Sequence, residues 1–479
     1  MAAGKNLNLP IIGPLLRRGG AFFMRRSFRD NPLYKAVFDE YLNLMFNRGF
    51  SIEYFIEGGR SRTGRTLSPK TGMLNMTMRS FQRNATKPLV FLPVYFGYER
   101  ILEAATYLGE LSGQTKIDES IFDVLGIFRI FKKAFGKVSV NFGAPLFLAD
   151  FLDKNDANWR DAEQLSSKTG QLLALDLVAG INEAVAITPV NLVATAILCT
   201  PRQTIEAHRL ERQVSLLQSL AQKCQLSECM TVTNENAAEI IDHAQKISGF
   251  ERIATESFGD IFQSSVKTSI LMTYYANNSL HVFALYSLIA RITLTKSKCN
   301  LADIVATCTI LQPFLKAELF LRWPKEEITQ RCQNAIQVMS DLNILIVNDT
   351  DISTPYPTTD YYASLTDLAE IIEPTLERFF IVNAILSEDR QLSIEQLEIS
   401  AAGVAQHLSR LYGIHSPEFF EKSLFTRFIL TLEQENYIEN KSGCLCVNNP
   451  FEEIKLTSEA FLNNHVRYNV DQTIHHLFK

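Results

Sequence analysis

The apolar positions of this chain change their period along its length. Between Asn31 and Phe50, Leu33, Val37, Phe38, Tyr41, Leu42, Leu44 and Met45 recur at helical spacing. Asn31 suits the cap of that helix, Pro32 its first turn, and Gly49 stops it. Ile52–Ile56 then reads as a strand and Thr71–Arg83 as a second helix. Leu89–Phe96 is a nearly continuous apolar run, the pattern of a strand covered on both faces, and Lys137–Phe142 alternates as a further strand. Pro93 cannot donate to a ladder, so the apolar run ends or bulges there. Strands alternating with helices predict an α/β fold over residues 1–150, a mostly parallel sheet with flanking helices.

Beyond Asp150 the strand signals thin out. Trp159–Ala186 and Val190–Leu198 read as helices on either side of Pro189, a helical connection over residues 151–200. Residues 201–479 read as a mainly α-helical region. Twice there a helix runs into a small hairpin: through Met339 to Ile344–Val347 and Ile352, and through Leu432 to Tyr437–Glu439 and Cys444–Val447. Two winged-helix-like units are the expectation from that repetition. No low-complexity segment or repeat of solenoid length is present.

Composition alters this picture in one respect. With 479 residues, 46% hydrophobic and 21% charged, the chain has ordinary globular content and room for two or three domains. Its net charge of −5 conceals an asymmetry, because residues 1–100 hold 16 Lys and Arg against 6 Asp and Glu. That +10 leaves −15 for the rest. A basic first segment fits an anionic substrate, an anionic membrane surface or nucleic acid, and the sign does not choose among them.

The eight cysteines are scattered and no His stands at ligand spacing from a Cys pair, which predicts reduced thiols and neither a disulfide frame nor a metal centre. No cofactor motif is met. The opening residues lack the apolar core of a signal peptide, and the most apolar stretch, Thr268–Leu294, is interrupted by Asn277, Asn278, His281 and Arg291, as in a buried or interfacial helix and not a membrane span. Leu9–Phe28 mixes apolar residues with two arginine pairs. A core strand at Ala21–Met24 with a basic end and a surface resting at lipid headgroups fit it equally.

Candidate chemistry concentrates in Ser51–Gly72. There Glu57 precedes Gly58 and Gly59, and Arg60, Arg62, Arg65 and Lys70 follow within eleven residues. Glycines admit backbone N–H groups close to a ligand, and guanidinium groups grip phosphate or carboxylate in pairs. Four cations this close repel one another unless an anion joins them; a solvated basic turn is the plain alternative. Gly59–Thr66 spells a P-loop apart from Arg65 in place of Lys. Ser68-Pro69 intrudes where the phosphate-bearing helix should run, which argues against a nucleotide triphosphatase.

These residues stand in an order that resembles a known family. Gly20-Ala-Phe-Phe-Met-Arg-Arg26, Phe55-Ile-Glu-Gly-Gly-Arg-Ser-Arg-Thr-Gly64, Pro69-Lys-Thr-Gly72 and Leu92-Pro-Val-Tyr-Phe-Gly-Tyr-Glu99 resemble the second, third and fourth motif blocks of bacterial membrane-bound glycerol-3-phosphate acyltransferases. The likeness continues through Val140–Pro145, Ile181–Ala184, Leu271–Tyr275, Leu315–Trp323 and Ile414–Phe420, nearly the whole chain. It implies transfer of a fatty acyl group from acyl-CoA or acyl carrier protein to the 1-hydroxyl of glycerol 3-phosphate, at the cytoplasmic face of the inner membrane. By that resemblance Arg25, Glu57, Gly58, Arg60, Ser61, Arg62 and Pro93 fall on substrate-binding positions. The residues themselves add Lys70. Glu57 is a candidate to accept from glycerol hydroxyls or to hold an arginine, with a structural ion pair as the alternative.

One block is missing. The family's first motif, His-x4-Asp, supplies the base that deprotonates the hydroxyl. None of the eight histidines here has an Asp five positions on. The resemblance starts at Met1, so the chain reads as starting inside the acyltransferase domain, poorly active alone. A non-catalytic lipid- or phosphate-binding regulator on the same scaffold is the rival expectation. Nucleic-acid binding is disfavoured, because no aromatics interleave with the loop cations.

Overall fold

The computed structural model describes residues 2–479 apart from 5–7, 9–11, 26–30, 85–86, 102–135, 157, 162–164, 225, 258, 389–390 and 414–415. Its first part follows the periodicity closely in the helices. Helix Pro32–Asn47 opens with the Asn31 side chain accepting from the Tyr34 amide at 2.9 Å. Helix Thr71–Arg83 has the predicted bounds. Phe38 and Leu42 on the first helix meet Met76 on the second in a small apolar cluster.

The strands depart from expectation. Among the described residues the sheets are small and mostly antiparallel, so a mostly parallel sheet is not what forms. Pro93 splits the apolar run into Val90–Phe91 and Val94–Tyr98. The second piece pairs antiparallel with Val138–Phe142, with Phe96 opposite Val140 and Tyr98 opposite Val138. Its two faces differ: Tyr95 is buried, whereas Phe96, Tyr98, Val138, Val140 and Phe142 are exposed. Residues 51–55 run without strand assignment instead of forming the expected Ile52–Ile56 strand. Period alone fixes which side chains share a face. It does not fix whether the neighbouring strand runs up or down. Among the described residues, parallel pairing is confined to Ala2–Gly4 with Phe22–Met24 and Ala186–Ile187 with Thr231–Val232.

Helices dominate from Ser167 onward, the expected Trp159–Ala186 helix starting only at Ser167 with Ser166 as its cap. Trp159 instead lies buried in a turn, stacked on Phe81 with ring centroids 5.5 Å apart. The long helix Val266–Lys296 is buried along most of its length, as the polar interruptions suggested, and no helix among the described residues is long and apolar enough to cross a membrane. After it come strand Lys298–Asn300, helices Leu301–Leu319 and Ile328–Asp341, and hairpin Ile346–Asn348/Asp351–Ser353, whose second strand pairs with the first of the series. The order recurs in helices Glu373–Leu386, Ile394–Tyr412 and Lys422–Gln434 followed by hairpin Ile438–Lys441/Cys444–Val447. There the Leu445 amide donates to the Leu392 carbonyl at 2.8 Å, as a third strand would.

One smaller core spans both parts of the molecule. Ile56, at the entry to the basic loop, clusters with Leu74, Met78, Leu173 and with Phe320 at the end of helix Leu301–Leu319.

Candidate functional site

The basic loop is a closed excursion from Ile56 to Lys70. At its neck the Lys70 amide donates to the Ile56 carbonyl at 2.7 Å, and the Gly58 amide to the Phe55 carbonyl at 3.0 Å. Gly58 has φ +62, which favours glycine, and a Cβ there would lie 2.9 Å from Lys70 Cγ, so the lysine side chain would have to shift. Glu57 points across the loop: its Oε2 accepts from the Leu67 amide at 3.2 Å. Burial pushes the Glu57 carboxyl above its ordinary value, with that amide opposing the rise. Glu57 therefore closes the loop upon itself, and no salt bridge joins it among the described residues.

Beyond the neck the loop divides into a base and a tip. The base, Thr63–Ser68, is seated on the helical half. Asn277 Nδ2 donates to the Thr63 carbonyl at 2.8 Å, and Thr63 Oγ1 donates to Glu421 at 3.4 Å. Gly64, at φ +76, lies so close to helix Val266–Lys296 that a Cβ would fall 2.1 Å from the Tyr274 carbonyl oxygen. Thr66 Oγ1 donates to Asn182 Oδ1 at 2.8 Å, and Arg427 Nη2 to Ser68 Oγ at 2.9 Å.

Arg65 goes furthest inward. Only 7% exposed, it donates from Nη1 to Glu318 Oε1 at 3.0 Å, and Arg378 and Thr375 share the same carboxylate oxygen. Burial pushes the Glu318 carboxyl up, but Arg378, Arg65 and Arg427 together outweigh it and hold the group below its ordinary value. The mutual repulsion expected of the four loop cations is thus partly relieved from within the protein: Arg65 has its anion in Glu318.

The tip is Gly59–Arg62. Arg60 and Arg62 are exposed, and Gly59 has open space where a Cβ would stand. Ser61 Oγ is buried without a hydrogen-bond partner among the described residues. Lys70, exposed at the start of helix Thr71–Arg83, flanks the neck. Glu57, Gly58, Arg60, Ser61, Arg62 and Lys70 are accordingly on one structural unit.

The other two expected residues lie elsewhere. Pro93 is buried, with its ring about 3 Å from the Cβ positions of Gly143 and Gly180, and its carbonyl accepts from the Gly143 amide at 2.8 Å. Its described contacts place the strand Val94–Tyr98, which reaches the loop entry through a Phe55–Phe96 ring contact at 6.4 Å. Arg25 stands over the Tyr34 ring at 4.9 Å and lines a cavity of about 500 Å³ built from residues between Asn8 and Tyr34. Among the described residues, none of the loop lines that cavity.

Residues that fix the loop but escaped the reading of the basic stretch are Asn182, Tyr274, Asn277, Glu318, Glu421 and Arg427. Three of them fall in the downstream stretches noted for family likeness: Asn182 in Ile181–Ala184, Tyr274 in Leu271–Tyr275 and Glu318 in Leu315–Trp323. That coincidence was the available signal. Among the described residues no cluster of His, Cys, Asp and Glu is arranged to hold a metal ion.

A fold of short strands and helices presenting a glycine- and arginine-rich loop fits an acyltransferase domain, and comparison with known proteins bears on that class directly. Residues 1–97 match the Acyltransferase family, and residues 107–441 match the family described as the glycerol-3-phosphate acyltransferase C-terminal region. The chain is 44% identical over 443 residues to a protein of Pseudomonas syringae pv. syringae named glycerol-3-phosphate acyltransferase, covering 90% of this chain and 53% of the relative. Proteins of the same name from Pseudomonas aeruginosa PAO1 and Pseudomonas fluorescens SBW25 are 44% and 40% identical over 441 and 487 residues, covering 90% and 99% of this chain and 53% and 58% of those relatives. The chain belongs to the glycerol-3-phosphate acyltransferase family. It spans about half the length of these curated relatives.

Proposed function

We propose that this chain serves acyl transfer from an acyl thioester, acyl-CoA or acyl carrier protein, to the 1-hydroxyl of glycerol 3-phosphate. The loop tip receives the acceptor's phosphate. Arg60 and Arg62 supply charge-assisted donors, the glycines leave the backbone N–H groups approachable, and Lys70 adds a third charge beside the neck. In the reaction the acceptor hydroxyl attacks the thioester carbonyl, a C–O bond replaces the C–S bond, and the proton passes to a base as the thiol leaves. Glu57, closing the loop, sets where the acceptor's glycerol end lies relative to the tip.

The observation that carries the reading is the unpartnered Ser61 hydroxyl, buried between two exposed arginines. A buried hydroxyl without a partner is uncommon in proteins, and an oxyanion at the tip would satisfy it. Arg25, in its cavity about Tyr34, is a second cationic position on the acceptor side, and Pro93 aligns the strand beside the loop. Residues 1–150 form the acyltransferase part, 151–200 a helical connection, and 201–479 a helical part containing two winged-helix-like units. The basic first segment favours a peripheral seat on the anionic cytoplasmic face of the inner membrane, and the acidic remainder argues against nucleic acid.

No histidine of the chain has an Asp five positions on. The polypeptide alone therefore turns over slowly, by roughly 10²–10⁴-fold relative to an enzyme with its base in place. Assaying the purified chain with glycerol 3-phosphate and an acyl thioester, beside the full-length Pseudomonas aeruginosa relative, tests this. Slow turnover with retained acceptor binding is the expected result. Equal rates would contradict the missing-base account, and lipid or phosphate binding with no preference for glycerol 3-phosphate would favour a regulatory role.

A further inference from the structure

The loop does not hold its shape by its internal bonds alone, of which the Leu67 amide to Glu57 is the one that reaches Thr63–Ser68 from the neck. The hydrogen bonds across its neck close it, but the orientation of Thr63–Ser68 is set by residues far along the chain: Asn182, Asn277, Glu318, Glu421 and Arg427. Of these ties the deepest is Arg65 to Glu318, where both side chains are nearly excluded from solvent. Glu318 is itself fixed. Its carboxylate takes Arg378 and Thr375 from helix Glu373–Leu386, and Arg427 Nη1 donates to its backbone carbonyl at 2.8 Å. Two residues on, Phe320 shares a core with Ile56 at the loop neck. One short segment of the helical half thus grips the loop at its neck and at its base.

From this arrangement we infer that Glu318 is a positioning residue for the acceptor loop, holding through Arg65 the backbone on which Arg60, Ser61 and Arg62 are mounted. The inference rests on the acceptor-site reading above and assigns the helical half a role in it. That half preorganises the loop, so ligand binding does not have to supply the ordering. A ligand that must first order a dozen loop residues loses affinity to their conformational entropy, and a preorganised loop avoids that loss. Arg65 is three residues from Arg62, so any release of its side chain is transmitted to the tip within one turn of chain.

The test uses the full chain and titration calorimetry with glycerol 3-phosphate, on wild type, Glu318→Gln, Arg65→Lys, Asn277→Ala and Arg60→Ala. Amide hydrogen exchange over residues 57–67 is followed without ligand and with it. Glu318→Gln is expected to weaken binding about tenfold or more, with faster exchange across the loop that saturating ligand restores. Arg65→Lys retains the charge and recovers part of the affinity. A purely structural role would lower the thermal midpoint while leaving the folded fraction with wild-type affinity and loop protection. Should Glu318→Gln fail to fold, Asn277→Ala decides, because it removes one hydrogen bond to the Thr63 carbonyl. Wild-type affinity and loop exchange in Asn277→Ala and Arg65→Lys, with Arg60→Ala weakened, would overturn the inference and leave the acceptor site standing. Absence of wild-type binding, or indifference to Arg60→Ala, would overturn the acceptor site and this inference with it.

Discussion

Arg65 Nη1 lies 3.0 Å from Glu318 Oε1, and the two side chains are 8% and 3% exposed although 253 positions separate them in the chain. A buried pair of this kind contributes less than its Coulomb attraction suggests, because both charges leave water. Breaking it is another matter, since the surviving partners keep their desolvation penalty and lose their compensation. Removing Glu318 would take from both Arg65 and Arg378 the carboxylate they hydrogen-bond, leaving Glu418 as a neighbouring charge.

Glu318→Ala is therefore expected to destabilise the protein by roughly 3–5 kcal/mol. The comparator is Arg331→Ala, which removes a surface pair with Glu327 one helical turn away and a hydrogen bond to the Arg322 carbonyl, and should cost about 1–2 kcal/mol. Urea denaturation of both variants checks this. Equal losses would show that the Glu318 network does not hold the two parts together.

The glycines of the loop are not equivalent. Gly64→Ala introduces a Cβ 2.1 Å from the Tyr274 carbonyl oxygen at φ +76, and neither backbone can yield cheaply, so the loop must leave its seat. Gly59→Ala meets nothing within 4 Å and has no left-handed φ. Gly64→Ala should lower the thermal midpoint and weaken acceptor binding, whereas Gly59→Ala should fold as wild type. Thermal melts of the two variants separate the cases.

His281 links stability to pH. Its Nε2 hydrogen-bonds the Asn182 carbonyl at 2.9 Å inside the helical half, and burial lowers its pKa to about 4 despite that bond. The unfolded chain binds the proton near 6.5, so the unfolded state holds more protons between those values. Stability from this group is fully present above about pH 6.5 and falls as pH drops toward 4, on the order of 3 kcal/mol in all. Thermal midpoints measured from pH 7.5 to 4.5 should fall less steeply in His281→Gln than in wild type. Parallel slopes would contradict the assignment.

Local order was legible in the chain; long-range pairing was not. Asn31 and Pro32 announce their helix, Thr71–Arg83 matches its periodicity, and Pro93 breaks its apolar run, because each effect acts within a few residues. The strand-forming residue types at Ile52–Ile56 are equally local and mislead, because a strand also needs a partner, and residues 51–55 carry no strand assignment. Likewise the spacing of Val138, Val140 and Phe142 is the same for either strand direction, and the antiparallel pairing with Val94–Tyr98 lies outside its reach. In the basic loop, residue type revealed an excess of positive charge but not its distribution. Four cations in eleven residues point to an anion; only the fold shows that Glu318 serves the buried Arg65 while Arg60 and Arg62 are exposed.

The central claim is that the loop tip receives the phosphate of glycerol 3-phosphate. Phosphorus NMR of that ligand, titrated with the purified chain, reads the claim at the atom concerned. Wild type should shift or broaden the resonance saturably. Arg60→Ala should abolish most of the effect, and Arg79→Ala, whose side chain pairs with Asp39 at 3.4 Å on a neighbouring helix, should leave it intact. An unperturbed resonance, or equal losses in the two variants, would contradict the account.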